Sequence, residues 1–170
     1  MILTTCKETP KISQKPILHE EIIDKDLVVI QGLMIQKLKV GIEKNELVFG
    51  IDPGLRTGLS VFYYGQEIER SIFTSIEELV MHIAKILAEL RADRKIVKIG
   101  NGNMNLAKEI TELLNLRYCS DFELEFVDER KTSLKVKNYN QRGKRDMMSA
   151  KYITQREGSR HFILPLSRTG

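Results

Sequence analysis

The stretch Leu47–Gly65, "LVFGIDPGLRTGLSVFYYG", constrains the fold more than any other part of the chain. An apolar run ends in an acid, Asp52, and Pro53 and Gly54 then turn the backbone. A second apolar run, from Gly58 to Tyr64, starts only a few residues later. That connection is too short for a crossover helix, so the two runs predict antiparallel strands. Gly65 marks a second tight turn, into a third run from Gln66 to Phe73. The result is a three-stranded antiparallel meander with a carboxylate closing its first strand. Asp-Pro-Gly has a plain role as a turn, in which the Asp caps the backbone and Pro fixes φ. The acid also sits where a core strand meets its loop, which is a position for chemistry.

The chain beyond the meander alternates helix and strand. "SIEE" is a capping box that starts a helix, with Ser75 as N-cap and Glu78 three residues on. Ile76, Leu79, Val80, Ile83, Leu87 and Leu90 follow at helical spacing. Lys95–Ile99 reads as a short strand, broken by "GNGN". Met104–Leu116 reads as a helix with Ala107, Ile110 and Leu114 on one face. Phe122, Leu124 and Phe126 alternate with Glu123 and Glu125, the pattern of a strand with one wet face near a sheet edge. The last helix is expected to start at Asp146 and run to about Glu157, with Met147, Ala150 and Ile153 inward.

Ahead of the meander, Ile23, Leu27, Ile30 and Met34 form a stripe in a helix from Glu20 to Lys39, weakened at Gly32. Residues 1–18, with Pro10 and Pro16, read as a loose arm. The expected division is an arm and helix over 1–45 and one domain over 46–170. That domain is α/β. Its mixed five-stranded sheet has the first three strands antiparallel and the first, fourth and fifth parallel, and helices flank it.

Charge is distributed unevenly. The chain totals +4, yet Arg130, Lys131, Lys135, Lys137, Arg142, Lys144 and Arg145 fall in one segment without a single Asp or Glu, so the rest is net negative. A local basic run is either a solvated loop or the seat of a polyanion. Tyr139 within it could stack on an unpaired base. The two cysteines, Cys6 and Cys119, form no disulfide framework or metal cluster. Without a signal-like start or a long apolar run, the expectation is a cytoplasmic protein that does not enter membranes. His19, His82 and His161 are scattered and are assigned no chemistry.

Four acids lie where a parallel sheet assembles sites. Asp52 ends the first strand, Asp128 and Glu129 end the fifth, and Asp146 opens the last helix. Sites in open α/β sheets form at the carboxyl ends of the strands. Carboxylates gathered there repel unless they are protonated or bind cations, and their hard oxygens suit Mg²⁺ or Mn²⁺. Asp128 and Glu129 as surface acids, and Asp146 as a first-turn acid favoured by the helix dipole, are the plain alternatives. The amides of "GNGN" could face a phosphate or simply turn the chain.

Three motifs resemble those of a known group, in its order. "FGIDPGLRTGLSVF" resembles the first motif of RuvC-like Holliday junction resolvases of the ribonuclease H-like superfamily. "FVDERKTS" is similar to the D-E-R-x-T motif of YqgF-type resolvases and pre-rRNA nucleases, and "RDMMSAKYI" to the last-helix motif of both. The resemblance spans about Leu47–Arg156. It implies a ribonuclease H-like fold and metal-dependent cleavage of nucleic acid, with Mg²⁺ or Mn²⁺ held by Asp52, Glu129 and Asp146, and Asp128 as a neighbour. The basic run would bind the nucleic-acid backbone, with Arg130 on a phosphate or on the acids. The RuvC pattern also places a glutamate at the end of the fourth strand. This chain has "KIGNGNMN" there, and Ser149 takes the place of a second acid in the last helix, so the YqgF pattern is the closer match.

Two other classes fit parts of the pattern. A nucleic-acid binder of the same fold without catalysis accords with the missing fourth-strand acid. A nucleotide-binding module would share the strand, acid and Gly turn, but it needs two lobes, for which 170 residues are few. The N-terminal helix is expected to pack on the domain or to pair two copies into a homodimer.

Overall fold

The computed structural model describes residues 2–4, 17–19, 22, 24–38, 45–117, 122–128 and 142–161. In chain order, strand β1 (Ile2–Thr4) is followed by β2 (Ile17–His19), helix α1 (Leu27–Leu38), β3 (Glu46–Asp52), β4 (Thr57–Tyr63) and β5 (Gln66–Phe73). Then come α2 (Ile76–Glu89), β6 (Arg94–Gly100), α3 (Met104–Arg117), β7 (Glu123–Val127), α4 (Arg142–Gln155) and β8 (Ser159–His161).

The main sheet has the order β5-β4-β3-β6-β7-β8. β3, β4 and β5 are antiparallel, whereas β3, β6 and β7 run parallel. This is the mixed five-stranded α/β sheet expected from the sequence. β8 is an addition: it pairs antiparallel with β7 and makes a sixth, edge strand. The β4–β5 hairpin turns on Tyr64 and Gly65, both with positive φ (49° and 72°), the two-residue geometry that matches strand twist.

Alternation along the strands separates two faces. Leu47, Phe49 and Ile51 of β3 pair in register with Tyr63, Val61 and Leu59 of β4, and with Val97 and Ile99 of β6. All are fully buried, together with Leu79, Ile83 and Leu87 of α2 and Ala107, Ile110 and Leu114 of α3. Burying each large side chain in this layer contributes roughly 1.5–3 kcal/mol. Ser75 caps α2 as expected, accepting a hydrogen bond from the Glu78 amide at 3.2 Å. Asn103 does the same for α3, accepting from Leu106 N at 3.3 Å, which gives "GNGN" a structural use. α4 crosses the opposite face.

Four expectations need correction. The arm is not loose at its described residues, because β1 and β2 pair in parallel. α1 begins at Leu27, where Asp26 Oδ1 accepts from Val28 N at 3.0 Å and caps the helix. Its buried face is Val29, Gly32 and Ile35, and Leu27 is 81% exposed. Gly32 lies against Leu90, the cap residue at the end of α2: a Cβ there would stand 2.5 Å from Leu90 Cδ1, so the helix presents its least bulky residue at this contact.

The fifth strand lies next to the sheet edge, as expected, but its expected wet face is closed at Glu125 while Glu123 stays part-exposed. Glu125 is only 6% exposed, since β8 lies beyond it and Lys98 faces it across the sheet at 3.4 Å. Finally, α4 starts at Arg142, so Asp146 belongs to its second turn. The helix dipole, which acts within the first turn, therefore does not account for an acid at that position.

Candidate functional site

Asp52 is the last residue of β3, and its turn is firmly built. Pro53 is buried, and the Thr57 hydroxyl, itself buried, donates to the Gly54 carbonyl at 3.3 Å. Leu55 and Arg56 at the tip are exposed. Across the ladder Asp52 pairs with Gly58, and two residues back Gly50 pairs with Ser60. By alternation Gly50, Asp52 and Gly58 share one face of the sheet, the face that α4 covers.

Both glycines bear directly on the α4 backbone. A Cβ on Gly50 would come within 2.3 Å of the Ala150 carbonyl oxygen. One on Gly58 would come within 2.4 Å of the Asp146 carbonyl oxygen. A side chain at either position would push the helix away. The residue facing Asp52 across the ladder is therefore the one against which the Asp146 backbone rests, so the two acids flank one glycine. Each of the two also makes further polar or electrostatic contacts.

The next strand leaves room beside them. Ile51 pairs with Ile99, which puts Gly100 in the row of Asp52, and Gly100 in turn pairs with Val127. No carboxylate stands in the middle of that row. The β7 residue in the row is the buried Val127, about 10 Å from Asp52 at two strand spacings. Asp128 lies one residue beyond it and is exposed, and its carbonyl accepts from Arg156 Nη1 at 3.0 Å. Glu129, Arg130, Lys131, Lys135, Lys137 and Tyr139 lie outside the described residues. Arg142, Lys144 and Arg145 occupy the first turn of α4, immediately before Asp146.

Polar contacts that the sequence did not announce hold α4 in place. Lys151 Nζ reaches Glu67 Oε2 at 3.1 Å, and Arg70 forks onto the same carboxylate at 2.6 and 2.7 Å. Ser60 Oγ donates to Glu67 Oε1 at 3.2 Å. The Arg70 bonds, aided by Lys151, hold the Glu67 carboxyl below the usual carboxylate range, against the opposing effect of burial. Past the other end of α4, Lys98 donates to the Arg156 carbonyl, and Glu125 accepts from Gly158 N at 3.3 Å. Glu67 and Glu69 are two residues apart, yet one serves α4 and the other His82 of α2. A β-bulge between Val61 and Phe62 in the β4–β5 register separates their faces, and strict period-two reading cannot see it.

Among the described residues, no group of three or more His, Cys, Asp or Glu is spaced to hold a metal ion. Asp52 and Asp146 supply two hard oxygen donors at one sheet end, a set that fits Mg²⁺ or Mn²⁺ and needs a third ligand. Among the same residues, no helix is long and apolar enough to cross a membrane. No protein-family model matches the chain, and a search of curated proteins finds no match.

Proposed function

We propose that this protein is a divalent-metal-dependent nuclease acting on structured or single-stranded nucleic acid. One observation carries the proposal: Asp52 pairs with Gly58, and Gly58 lies against the Asp146 backbone, so two acids far apart in sequence share one sheet end. Asp52 and Asp146 would hold Mg²⁺ or Mn²⁺, with Glu129 as the third ligand two residues past Val127. The bound ion supplies a water activated at neutral pH and charge compensation for the leaving oxygen. The chain's part is to hold the carboxylates together and to seat the phosphate backbone. The basic residues from Arg130 to Arg145 run between two of the candidate ligands, so phosphates that follow them arrive at the acids. Such contacts give affinity without sequence preference and weaken as salt rises. The order and directions of β3 to β7 agree with the fold implied by the resemblance to RuvC- and YqgF-type proteins.

The test is cleavage of labelled four-way junction, duplex and single-stranded DNA and RNA, each with Mg²⁺, Mn²⁺ or chelator, beside Asp52→Asn. The expected result is metal-dependent cutting of at least one substrate, reduced at least about 100-fold in Asp52→Asn, about 2.7 kcal/mol of transition-state stabilisation. Cutting that persists in Asp52→Asn, or in chelator, would contradict the proposal.

The carboxylate-free middle of the row, at Gly100 and "NGN", favours a second reading: a binder of the same fold that grips nucleic acid without cutting. It predicts salt-sensitive binding, unchanged by Asp52→Asn, and no cleavage of any substrate.

A further inference from the structure

We infer that Gly58 is a positioning residue of the candidate site: the missing side chain there sets how closely the Asp146 carboxylate approaches Asp52, and so sets the affinity for the cation. The inference rests on the metal-ion reading of these two acids and goes beyond it, because Gly58 itself carries no donor. Three facts combine. Gly58 is the ladder partner of Asp52. Its absent Cβ would stand 2.4 Å from the Asp146 carbonyl oxygen and 2.8 Å from the carbonyl carbon. Those atoms are helix backbone, which cannot rotate aside as the end of a flexible side chain can. A methyl group at 58 must therefore lift the second turn of α4 off the sheet, and that turn carries Asp146. The clamp from Lys151 to Glu67 and the Lys98 bond to the Arg156 carbonyl hold the rest of the helix down, so the displacement concentrates at the Asp146 end.

Gly50 provides an internal comparison. A Cβ there meets helix backbone just as closely, 2.3 Å from the Ala150 oxygen, but one turn further along and beside Thr154 rather than Asp146. Both Gly→Ala changes should lower stability, yet only one acts at the acid.

The experiment titrates Mn²⁺, followed by the loss of its free electron-paramagnetic signal, against the full chain and its Gly58→Ala, Gly50→Ala and Gly58→Ala/Asp146→Glu variants. Thermal unfolding of each is recorded alongside. The expected result is a 10- to 100-fold weaker Mn²⁺ affinity in Gly58→Ala, the range seen when groups behind metal ligands are changed. The loss in Gly50→Ala should be clearly smaller at a similar drop in unfolding temperature. The longer glutamate in the double variant should restore part of the lost affinity by reaching across the widened gap, without restoring stability. A purely structural glycine would give affinity losses that follow the unfolding temperature and no rescue by glutamate, and that result overturns the inference. Should Gly58→Ala not fold, Asp146→Glu alone tests the same spacing: with the helix seated on Gly58 the longer carboxylate overreaches, and Mn²⁺ binding weakens severalfold. An affinity equal to that of the unaltered protein also overturns the inference. If the unaltered protein binds no Mn²⁺, the metal-ion reading itself fails and takes the inference with it. If it binds and Gly58→Ala binds equally well, only the inference fails.

Discussion

Single residues in this fold are set by partners on distant elements, and His82 shows it most plainly. It lies on α2, where its spacing in the sequence puts it, and its Nε2 sits 2.8 Å from both Glu69 carboxylate oxygens. That hydrogen bond raises the His82 pKa above its ordinary value. Burial works against the rise, the Glu69 and Asp26 charges add to it, and Lys85 opposes it. The folded state thus holds the proton more tightly than the unfolded chain. The pair contributes its full stability below about pH 6.5, the unfolded value, and loses it as pH rises through the higher folded value. We expect the unfolding temperature to fall over that window in the unaltered protein and to fall less in His82→Gln, as measured by thermal melts from pH 5 to 9. The histidine was legible in the sequence but its partner was not, because the bulge at Val61/Phe62 decides which glutamate reaches α2. Glu125 was misjudged for a related reason. Alternation assigned its face correctly, but the presence of β8 and the Lys98 partner made its own position interior, while Glu123 on the same face stays part-exposed.

At the scale of elements, legibility follows how sharply one face is marked. α2 and α3 carry apolar residues on one side and charged residues on the other: the expected face of α3 is fully buried, and that of α2 is buried apart from the part-exposed Ile76, with Ala84 and Ile86 added to it. α1 reads "LVVIQGLMIQKL", apolar nearly all round, and such a helix can present several stripes. The stripe it buries carries Gly32 against Leu90, and its start is set by Asp26, a cap hidden among the acids of "EEIIDKD". Asp26→Ala should cost about 1 kcal/mol in a urea denaturation series, and Asp26→Asn should recover most of it. Asp24→Ala should change little by comparison, since Asp24 is exposed. β8 was not legible because three polar-flanked residues carry no periodicity, and its place comes from an open ladder on β7. α4 was expected at Asp146 and begins four residues earlier. Its glycine seats on β3 and β4, rather than its own weak stripe, determine where it lies.

For the whole molecule, the site is a product of topology. Asp52 and Asp146 are separated by most of the domain in sequence, and they come to flank Gly58 because α4 returns across the strands where the chain's first core strand ended. The order of the strands and the ends at which the acids fall were legible from the short meander and the alternating second half. The depth at which the helix sits was not. It depends on two glycines whose absent side chains make no pattern of their own. A double-mutant cycle of Mn²⁺ binding decides whether Asp52 and Asp146 hold one cation between them. Mn²⁺ affinity is measured for the unaltered chain, Asp52→Asn, Asp146→Asn and the double variant. For one shared cation, each single change weakens binding at least about tenfold and the double change weakens it by far less than the product, because ligands of one ion are coupled. Losses that multiply, or a single change that leaves the affinity intact, would show that the two acids serve separate ends.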